Sequence, residues 1–184
     1  LTNTVQTVVY TVTPVSAAGP CTGSTFTVTI TVDPTPVVPA QTATICDGGT
    51  FTVTPTNNPT STIIPSGTTY SWSAPTVTGI SGTAAGSGSA NISGTLTNST
   101  SAPINVVYTV TPTSGAAGAC VGSTFTTTVT VNPTPALSST LAPAAICSGA
   151  TFGYTATSAT VASSGSVVMT WSRATVAGIS EAAT

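Results

Sequence analysis

Charged side chains are almost absent from this sequence. Among its 184 residues there are one basic residue, Arg173, and three acidic ones, with no lysine and no histidine, so only 2% of the chain is charged. An ordinary soluble domain carries about 25% charged residues. One arginine cannot replace the counterions along a phosphate backbone, which excludes nucleic-acid binding. Without histidine, the Ser–His–Asp and Cys–His sites of hydrolases are excluded as well.

Long apolar runs are also missing. The apolar residues alternate with threonine and serine, and no stretch approaches the ~18–20 continuous apolar residues of a membrane-spanning helix. The first residues do not have the pattern of a signal peptide, and Leu1 lies inside a repeated unit. We therefore expect no membrane span in this part of the chain, and a sequence cut from a longer array.

Threonine and valine dominate what is present. Threonine makes up about a quarter of the chain, 40% of the residues are apolar, and the mean hydropathy is +0.43. Disorder requires low hydrophobicity, so this composition favours a folded protein. β-Branched residues suit pleated sheets and are poor in helices. The composition predicts an all-β fold.

The sequence repeats at just under one hundred residues. Tyr10 recurs as Tyr108, and the segment VDPTP at 32–36 recurs as VNPTP at 131–135. This period fits one small β-domain per repeat, because helical and leucine-rich repeats are shorter. Proline ends strand pairing and stiffens a connector. We predict the C-terminal half of one repeat at 1–34, a complete repeat at 37–133, and the N-terminal half of the next at 137–184.

Each repeat carries segments in which apolar residues alternate with threonine. In TFTVTITV, for example, Phe26, Val28 and Ile30 share one face. About seven such strands per repeat, separated by turns rich in glycine and proline, predict an antiparallel immunoglobulin-like β-sandwich, with the repeats stacked head to tail. The aromatic residues on the apolar faces are predicted to form the core: Trp72, Tyr108, Trp171, Tyr10, Phe26, Phe51, Phe125 and Phe152.

Four cysteines occur in one motif, Cys-x-Gly-x-Thr-Phe, at Cys21, Cys46, Cys120 and Cys147. There is no close cysteine pair to bind zinc, and two cysteines per repeat favour disulfides over free thiols. Pairing within the complete repeat gives Cys46–Cys120. Pairing across the linkers gives Cys21–Cys46 and Cys120–Cys147. The sequence leaves both open, with the bond within the repeat preferred because such bonds are commoner.

Enzymatic activity is not expected. The acidic residues Asp33, Asp47 and Glu181 occupy different repeat positions and have no acidic counterparts, whereas glycoside hydrolysis needs two facing carboxylates. We expect no catalytic residues, no cofactor and no bound metal. Two glycosylation sequons begin at Asn91 and Asn98.

The order of motifs ICDGGTFTVTP, YSWSAP, VVYTVTP and VTVNPTP resembles the PKD-like, immunoglobulin-like repeats of very large Bacteroidetes surface adhesins. Within this class it looks closest to the SprB family of gliding-motility adhesins. The resemblance covers essentially the whole chain. It implies type IX secretion and display outside the cell as a filament anchored at the outer membrane.

Two functions follow from the sequence and this resemblance. The first is a structural segment of a surface filament that serves attachment or gliding. The second is a multivalent module that binds glycans or a solid surface. Neighbouring repeats are the expected partners, and low net charge favours lateral self-association. The open ends of the half-repeats at 1–34 and 137–184 are expected to become ordered only when their missing halves or neighbouring molecules complete them.

Overall fold

The computed structural model describes residues 2–162 and 166–179, and in this part of the chain the regular elements are all strands. Because apolar residues alternate with threonine, each strand can bury one face and leave hydroxyls on the other. The strands are β1 (Gln6–Val12), β2 (Phe26–Val32), β3 (Gln41–Cys46), β4 (Thr50–Val53), β5 (Thr69–Trp72), β6 (Ile80–Ser81), β7 (Gly86–Ser89), β8 (Ile92–Thr95), β9 (Thr97–Asn98), β10 (Ile104–Thr113) and β11 (Phe125–Asn132).

The strands from β3 to β11 form a two-layer β-sandwich, as the sequence predicted. One layer is a five-stranded sheet in the order β3-β11-β10-β5-β7. The other consists of the pairs β4-β8 and β6-β9. Every strand pair except β3-β11 is antiparallel.

The first and last strands of this domain run in parallel, which corrects the expectation of an entirely antiparallel sandwich. Gln41 lies beside Thr127, and Cys46 lies beside Asn132. Because β3 and β11 run in the same direction, the chain enters the domain at one end of the sheet and leaves it at the other. This arrangement suits repeats that follow one another end to end, because each domain then begins where the previous one stops.

The hydrophobic core lies wholly inside this domain, between Val38 and Val131. Phe51 on β4 contacts Tyr108 on β10 with ring centroids 5.5 Å apart, which joins the two layers. Tyr70 packs edge-on against Phe125 at 6.0 Å. Both tyrosines are buried, and desolvation raises the pKa of Tyr70 and of Tyr108.

The hairpin β1–β2 repeats the register of β10–β11 but lacks a second layer. Tyr10 pairs with Val28 as Tyr108 pairs with Thr127. The two strands are paired along their whole length, although no second layer covers them among the described residues. Six buried apolar residues of β10–β11 are 0–6% exposed, whereas their counterparts in β1–β2 are 36–53% exposed.

The segment after the second linker remains open. Within 137–162 and 166–179 the only β-pairing described is an isolated bridge between Leu137 and Ser158. Four residues predicted to be buried are instead exposed, namely Tyr10, Phe26, Phe152 and Trp171. The alternation identified their apolar face correctly, but burial also requires the other half of the same repeat. The remaining predicted core residues, Phe51, Trp72, Tyr108 and Phe125, are buried.

Candidate functional site at the repeat junctions

An open cleft on the sandwich beside Trp72 and Gly86 offers little chemistry. It has a volume of about 610 Å³ and is otherwise lined by serine, threonine and alanine. No titratable side chain lines it. Across residues 2–162 and 166–179 there is also no cluster of histidine, cysteine or acidic residues suited to a metal ion. In the same part of the chain, no helix is long and apolar enough to cross a bilayer.

The side-chain hydrogen bonds that join the most distant parts of the sequence instead lie where one repeat meets the next. At the first junction, Pro34 and Pro36 are buried although they belong to a connector. Val37 exchanges two backbone hydrogen bonds with Ile63, at 3.0 and 2.8 Å. A Cβ atom on Gly122 would collide with the carbonyl oxygen of Pro36, so only glycine allows the connector to approach this closely. The connector is therefore docked on the sandwich.

Asp33 fixes the start of this connector. Its Oδ2 accepts a hydrogen bond from the backbone N–H of Gly118, 85 residues further along the chain, at 2.6 Å. The Sγ of Cys120 lies 3.8 Å from the carbonyl oxygen of Asp33. Hydrogen bonds to a carboxylate are stronger than those between neutral groups. The loop between β10 and β11 thus holds the last residue before the connector.

Asp47 has a similar role at the opposite end of the domain. Its Oδ1 accepts the N–H of Asn98 at 2.8 Å, and its Oδ2 accepts the hydroxyl of Thr134 at 3.1 Å. Its own backbone N–H donates to the carbonyl oxygen of Asn132 at 2.7 Å. One carboxylate therefore joins the second connector to the sandwich.

Asn98 anchors the same end from inside. Its Nδ2 donates to the carbonyl oxygens of Ala102 and Val131, both at 2.8 Å, and its Oδ1 accepts from the N–H and the hydroxyl of Thr100. Although Asn98 begins a sequon, it is 3% exposed and its amide is fully used. In the folded domain this asparagine is inaccessible to glycosylation.

All four cysteines are free thiols. The preferred pairing, Cys46–Cys120, is wrong because the two residues lie at opposite ends of β11. Cys46 lies beside Asn132, the last residue of that strand, and Cys120 precedes its first residue, Phe125. Seven steps of ~3.3 Å separate those ends by about 23 Å, whereas a disulfide requires Cα atoms within about 7 Å.

The cross-linker pairs Cys21–Cys46 and Cys120–Cys147 are not formed within this chain either. Cys21 lies in the loop before β2, and Cys46 ends β3, so the linker and two whole strands separate them. Between Cys120 and Cys147 lie β11 and the second linker.

Sequence reasoning did not identify Asp33, Asp47 or Asn98 as junction residues. A signal was available for Asp33, because an Asp or Asn precedes Pro-Thr-Pro in both linkers. No comparable signal exists for Asp47, since its partners lie 51 and 87 residues away. Such contacts depend on the parallel placement of β3 and β11, which the strand pattern does not reveal.

Comparison with known proteins agrees with this architecture. No curated protein and no solved structure matches the chain. The family described as PKD-like domain matches residues 1–36 and again residues 41–135, so the match covers most of the chain and includes two successive units. The sequence period, the β-sandwich and this match agree, and the chain belongs to the PKD-like domain family.

Proposed function

We propose that this chain is a segment of a long extracellular filament built from PKD-like repeats stacked end to end. The PKD-like fold is consistent with an extracellular module of the structural or adhesion type. The observation that carries the proposal is the docked junction, in which Pro34 and Pro36 are buried and Asp33 is bonded to Gly118. A connector held in this way transmits force between domains and does not act as a loose tether.

The direction of the strands supports the same role. Because β3 and β11 are parallel, tension enters the domain at Gln41 and leaves it at Asn132, at opposite ends of two adjacent, hydrogen-bonded strands. Pulling on these ends shears the six residue pairs of the β3–β11 ladder together, whereas pulling on neighbouring strand ends would open them one at a time. This arrangement suits a stalk that resists extension.

The residue inventory favours a mechanical role over a catalytic one. The two described carboxylates, Asp33 and Asp47, serve junction hydrogen bonds, and the cleft beside Trp72 has no titratable lining. We propose that the filament is anchored at the outer membrane and serves surface attachment and gliding, as its resemblance to the SprB family of adhesins implies.

A recombinant array tests the stalk. Residues 32–130, repeated head to tail, recreate the junction sequence between identical domains. Electron microscopy should show rods that lengthen by roughly 35–40 Å per repeat, since a ten-residue strand spans ~33 Å and the linker adds a few residues. In the matched array with Asp33→Ala at every junction, the same contour length but greater bending is expected.

Two results would contradict a stiff stalk. One is an unmodified array that appears as beads with random angles between domains. The other is equal bending in the unmodified and Asp33→Ala arrays, which would show that the bond to Gly118 does not hold the junction.

A second candidate function rests on the outer face of the five-stranded sheet. Threonine hydroxyls project from adjacent strands there, with Thr42 beside Thr128, Thr44 beside Thr130, and Thr126 beside Thr109. A flat hydroxyl face repeated many times could bind glycans or a mineral surface through weak multivalent contacts.

Binding of the same array to glass and to glycan panels decides between the two functions. A stalk binds neither. If the outer face is adhesive, an array with Thr128→Lys in every repeat should lose binding while its rod shape is kept. The aromatic residues Tyr70, Trp72 and Tyr108 are buried, so stacking of sugars on aromatic rings is not expected on this domain.

A further inference from the structure

The five-stranded sheet ends in two edge strands of different character. β7 forms one edge and β3 forms the other. The row of N–H and C=O groups along an edge strand can pair with a strand of another chain, and natural proteins usually block such edges with charge, proline, a bulge or a covering segment. Comparison of β7 with β3 shows that only one of these two edges is blocked.

β7 is short and irregular. Its pairing with β5 shifts register between Tyr70 and Trp72, which indicates a bulge. Gly88 has a φ of 67°, so the backbone leaves the extended conformation within the strand. Another chain cannot extend a regular ladder along a strand that bends in this way. The β7 edge of the sheet is therefore protected.

β3 has none of these protective features. All six of its residues pair with β11 in continuous register, from Gln41 beside Thr127 to Cys46 beside Asn132. Its sequence, QTATIC, contains no charged residue, no proline and no glycine. Every second residue of the strand is exposed. The β3 edge is thus regular enough to accept an added strand.

One hydrogen bond at the end of the ladder shows which backbone groups of β3 face outwards. The N–H of Asp47 donates to the carbonyl oxygen of Asn132 at 2.7 Å, so residue 47 directs its backbone groups towards β11. These directions alternate along a strand. Thr42, Thr44 and Cys46 therefore direct their N–H and C=O groups away from β11. Those of Thr42 and Thr44 have no backbone partner among the described residues.

We propose that a second copy of this chain pairs with β3 in the antiparallel direction, so that the two five-stranded sheets become one. In the register centred on Thr44, this residue faces Thr44 of the second copy, and Thr42 faces its Cys46. The three facing pairs use every outward backbone group of β3 and exchange about six hydrogen bonds. The carbonyl oxygen of Cys46 also accepts the N–H of Gly49, and its second lone pair serves the new bond.

The same register suits the side chains on both faces of β3. Ala43 and Ile45 pack against the core but are only partly buried. In this register Ala43 faces Ile45 of the second copy, so each covers the open side of the other. On the opposite face, the exposed hydroxyls of the two copies form one continuous row. A shift by one residue would bring exposed threonines against these apolar residues.

The distribution of charge favours a second copy as the occupant of this edge. The chain has three acidic residues and one basic residue, and none of them lies on β3. Asp47 follows the strand directly, and in this register it lies opposite Gln41 and not opposite another carboxylate. Two copies therefore meet without repulsion between like charges. The contact is isologous and closes as a pair, and it does not depend on the proposed stalk function.

The following repeat shows how the same edge can be blocked. Counted back from its cysteine, Cys147, the repeat position of Thr42 is held by Pro143. Proline has no N–H to donate, and natural edge strands use it as protection. The two repeats thus differ at a residue that the proposed pairing uses, with Thr42 open to a partner and Pro143 closed.

Sedimentation velocity of the whole chain under reducing conditions tests the contact, and a dimer is expected. Thr44→Lys places two lysines against each other at the centre of the ladder and should raise the dissociation constant at least tenfold. Thr109→Lys is the matched control, because Thr109 is exposed on the central strand β10, away from both edges. It should leave the dimer unchanged.

Thr42→Pro introduces the residue of the following repeat. The N–H of Thr42 points away from β11, so its loss should abolish the dimer and keep the ladder within the domain. Circular dichroism and the fluorescence of Trp72, measured in a Trp171→Phe background, should match those of the parent chain. These two spectra separate a blocked edge from a misfolded domain.

Crosslinking between two variants tests the register. One variant keeps Cys46 and has the other three cysteines changed to serine. The second has all four changed to serine and carries Thr42→Cys. In the proposed register the two thiols face each other with Cα atoms about 5.5 Å apart, which a disulfide can bridge. Two copies of the same variant place their thiols about 13 Å apart, four residues along the strand, which is too far.

Oxidised glutathione should therefore give disulfide-linked dimers in the mixture and not in either variant alone. Labelling one variant with ¹⁵N identifies the mixed dimer by its mass. Equal crosslinking in the mixture and in the separate variants would overturn the register. Equal association of the Thr44→Lys and Thr109→Lys chains would show that another surface, such as the apolar face of β1–β2, holds the molecules together. A chain that stays monomeric up to millimolar concentration would also overturn the proposal and would leave the β3 edge to a different protein.

Discussion

Replacing Asn98 by aspartate is the sharpest test of how the exit end of the sandwich is held. The substitution keeps the size of the side chain but removes its two N–H donors. Those donors bind the carbonyl oxygens of Ala102 and Val131 at 2.8 Å, inside a site that is 3% exposed. After the change, an oxygen faces both carbonyl oxygens, close to the carboxylate of Asp47 that accepts the N–H of residue 98.

The cost can be worked from these contacts. Each lost hydrogen bond removes about 1 kcal/mol, and burying a group that cannot be satisfied adds a further 1–3 kcal/mol. We expect Asn98→Asp to lower the free energy of unfolding by about 3–5 kcal/mol at neutral pH. This is a large part of the ~5–15 kcal/mol that stabilises a typical domain. With a urea m-value of about 1–3 kcal/mol/M, the midpoint falls by at least about 1 M.

The assay is urea unfolding followed by the fluorescence of Trp72, in a Trp171→Phe background so that one buried tryptophan reports on the sandwich. Asn105→Asp is the matched control, since Asn105 is exposed and uses only its Oδ1, as acceptor from Thr130. The control should shift the midpoint by less than about 0.3 M. A shift for Asn98→Asp no larger than that of the control would refute the reasoning.

Three further predictions concern the same domain. Gly86→Ala places a Cβ against the indole ring of Trp72 and should cost about 1–3 kcal/mol in urea unfolding. Thr127→Val removes a buried hydroxyl that has no partner and should raise the free energy of unfolding by about 1 kcal/mol. Burial raises the pKa of Tyr70 and Tyr108 in the folded state. The stability that the two un-ionised tyrosines contribute is therefore complete below pH ~10 and lost as the pH rises above it. Circular dichroism measured against pH will show this loss.

The strands and the core of the complete repeat were predictable because the period-2 pattern is strong. Alternation of valine and threonine places Val106, Tyr108 and Val110 on one face, and that face is buried. Burial of Phe51 and Phe125 follows from the same rule. A local pattern determines which face of a strand is apolar, and in a two-layer fold only one layer of partners is available to cover it.

The same pattern failed where burial depends on residues elsewhere. Tyr10 and Tyr108 lie in nearly identical segments, yet the first is 53% exposed and the second 2%. The difference lies in the second layer of the sandwich: Phe51 on β4 packs against Tyr108, whereas β1 and β2 form a two-stranded sheet with no layer over Tyr10 among the described residues. The direction of β3 relative to its neighbour could not be predicted from the sequence either. The segment Gln41–Cys46 would pair as well with an antiparallel strand as with the parallel one it has.

The cysteines show how strand direction changes the interpretation of a repeat. In the sequence, Cys46 is close to Cys21 and belongs to the same repeat as Cys120. The pairings Cys21–Cys46 and Cys46–Cys120 were therefore the ones that the sequence suggested. In the folded structure the order differs, because the loop carrying Cys120 folds back to the start of its domain and contacts Asp33 of the repeat before it. Cys46, which ends β3, therefore faces the corresponding loop of the following repeat. In a continuous array with this ~99-residue period, that loop lies about 170 residues later in the sequence. A disulfide at that position joins successive domains without crossing the body of either, so the junction holds both the docked connector and the thiols that can lock it.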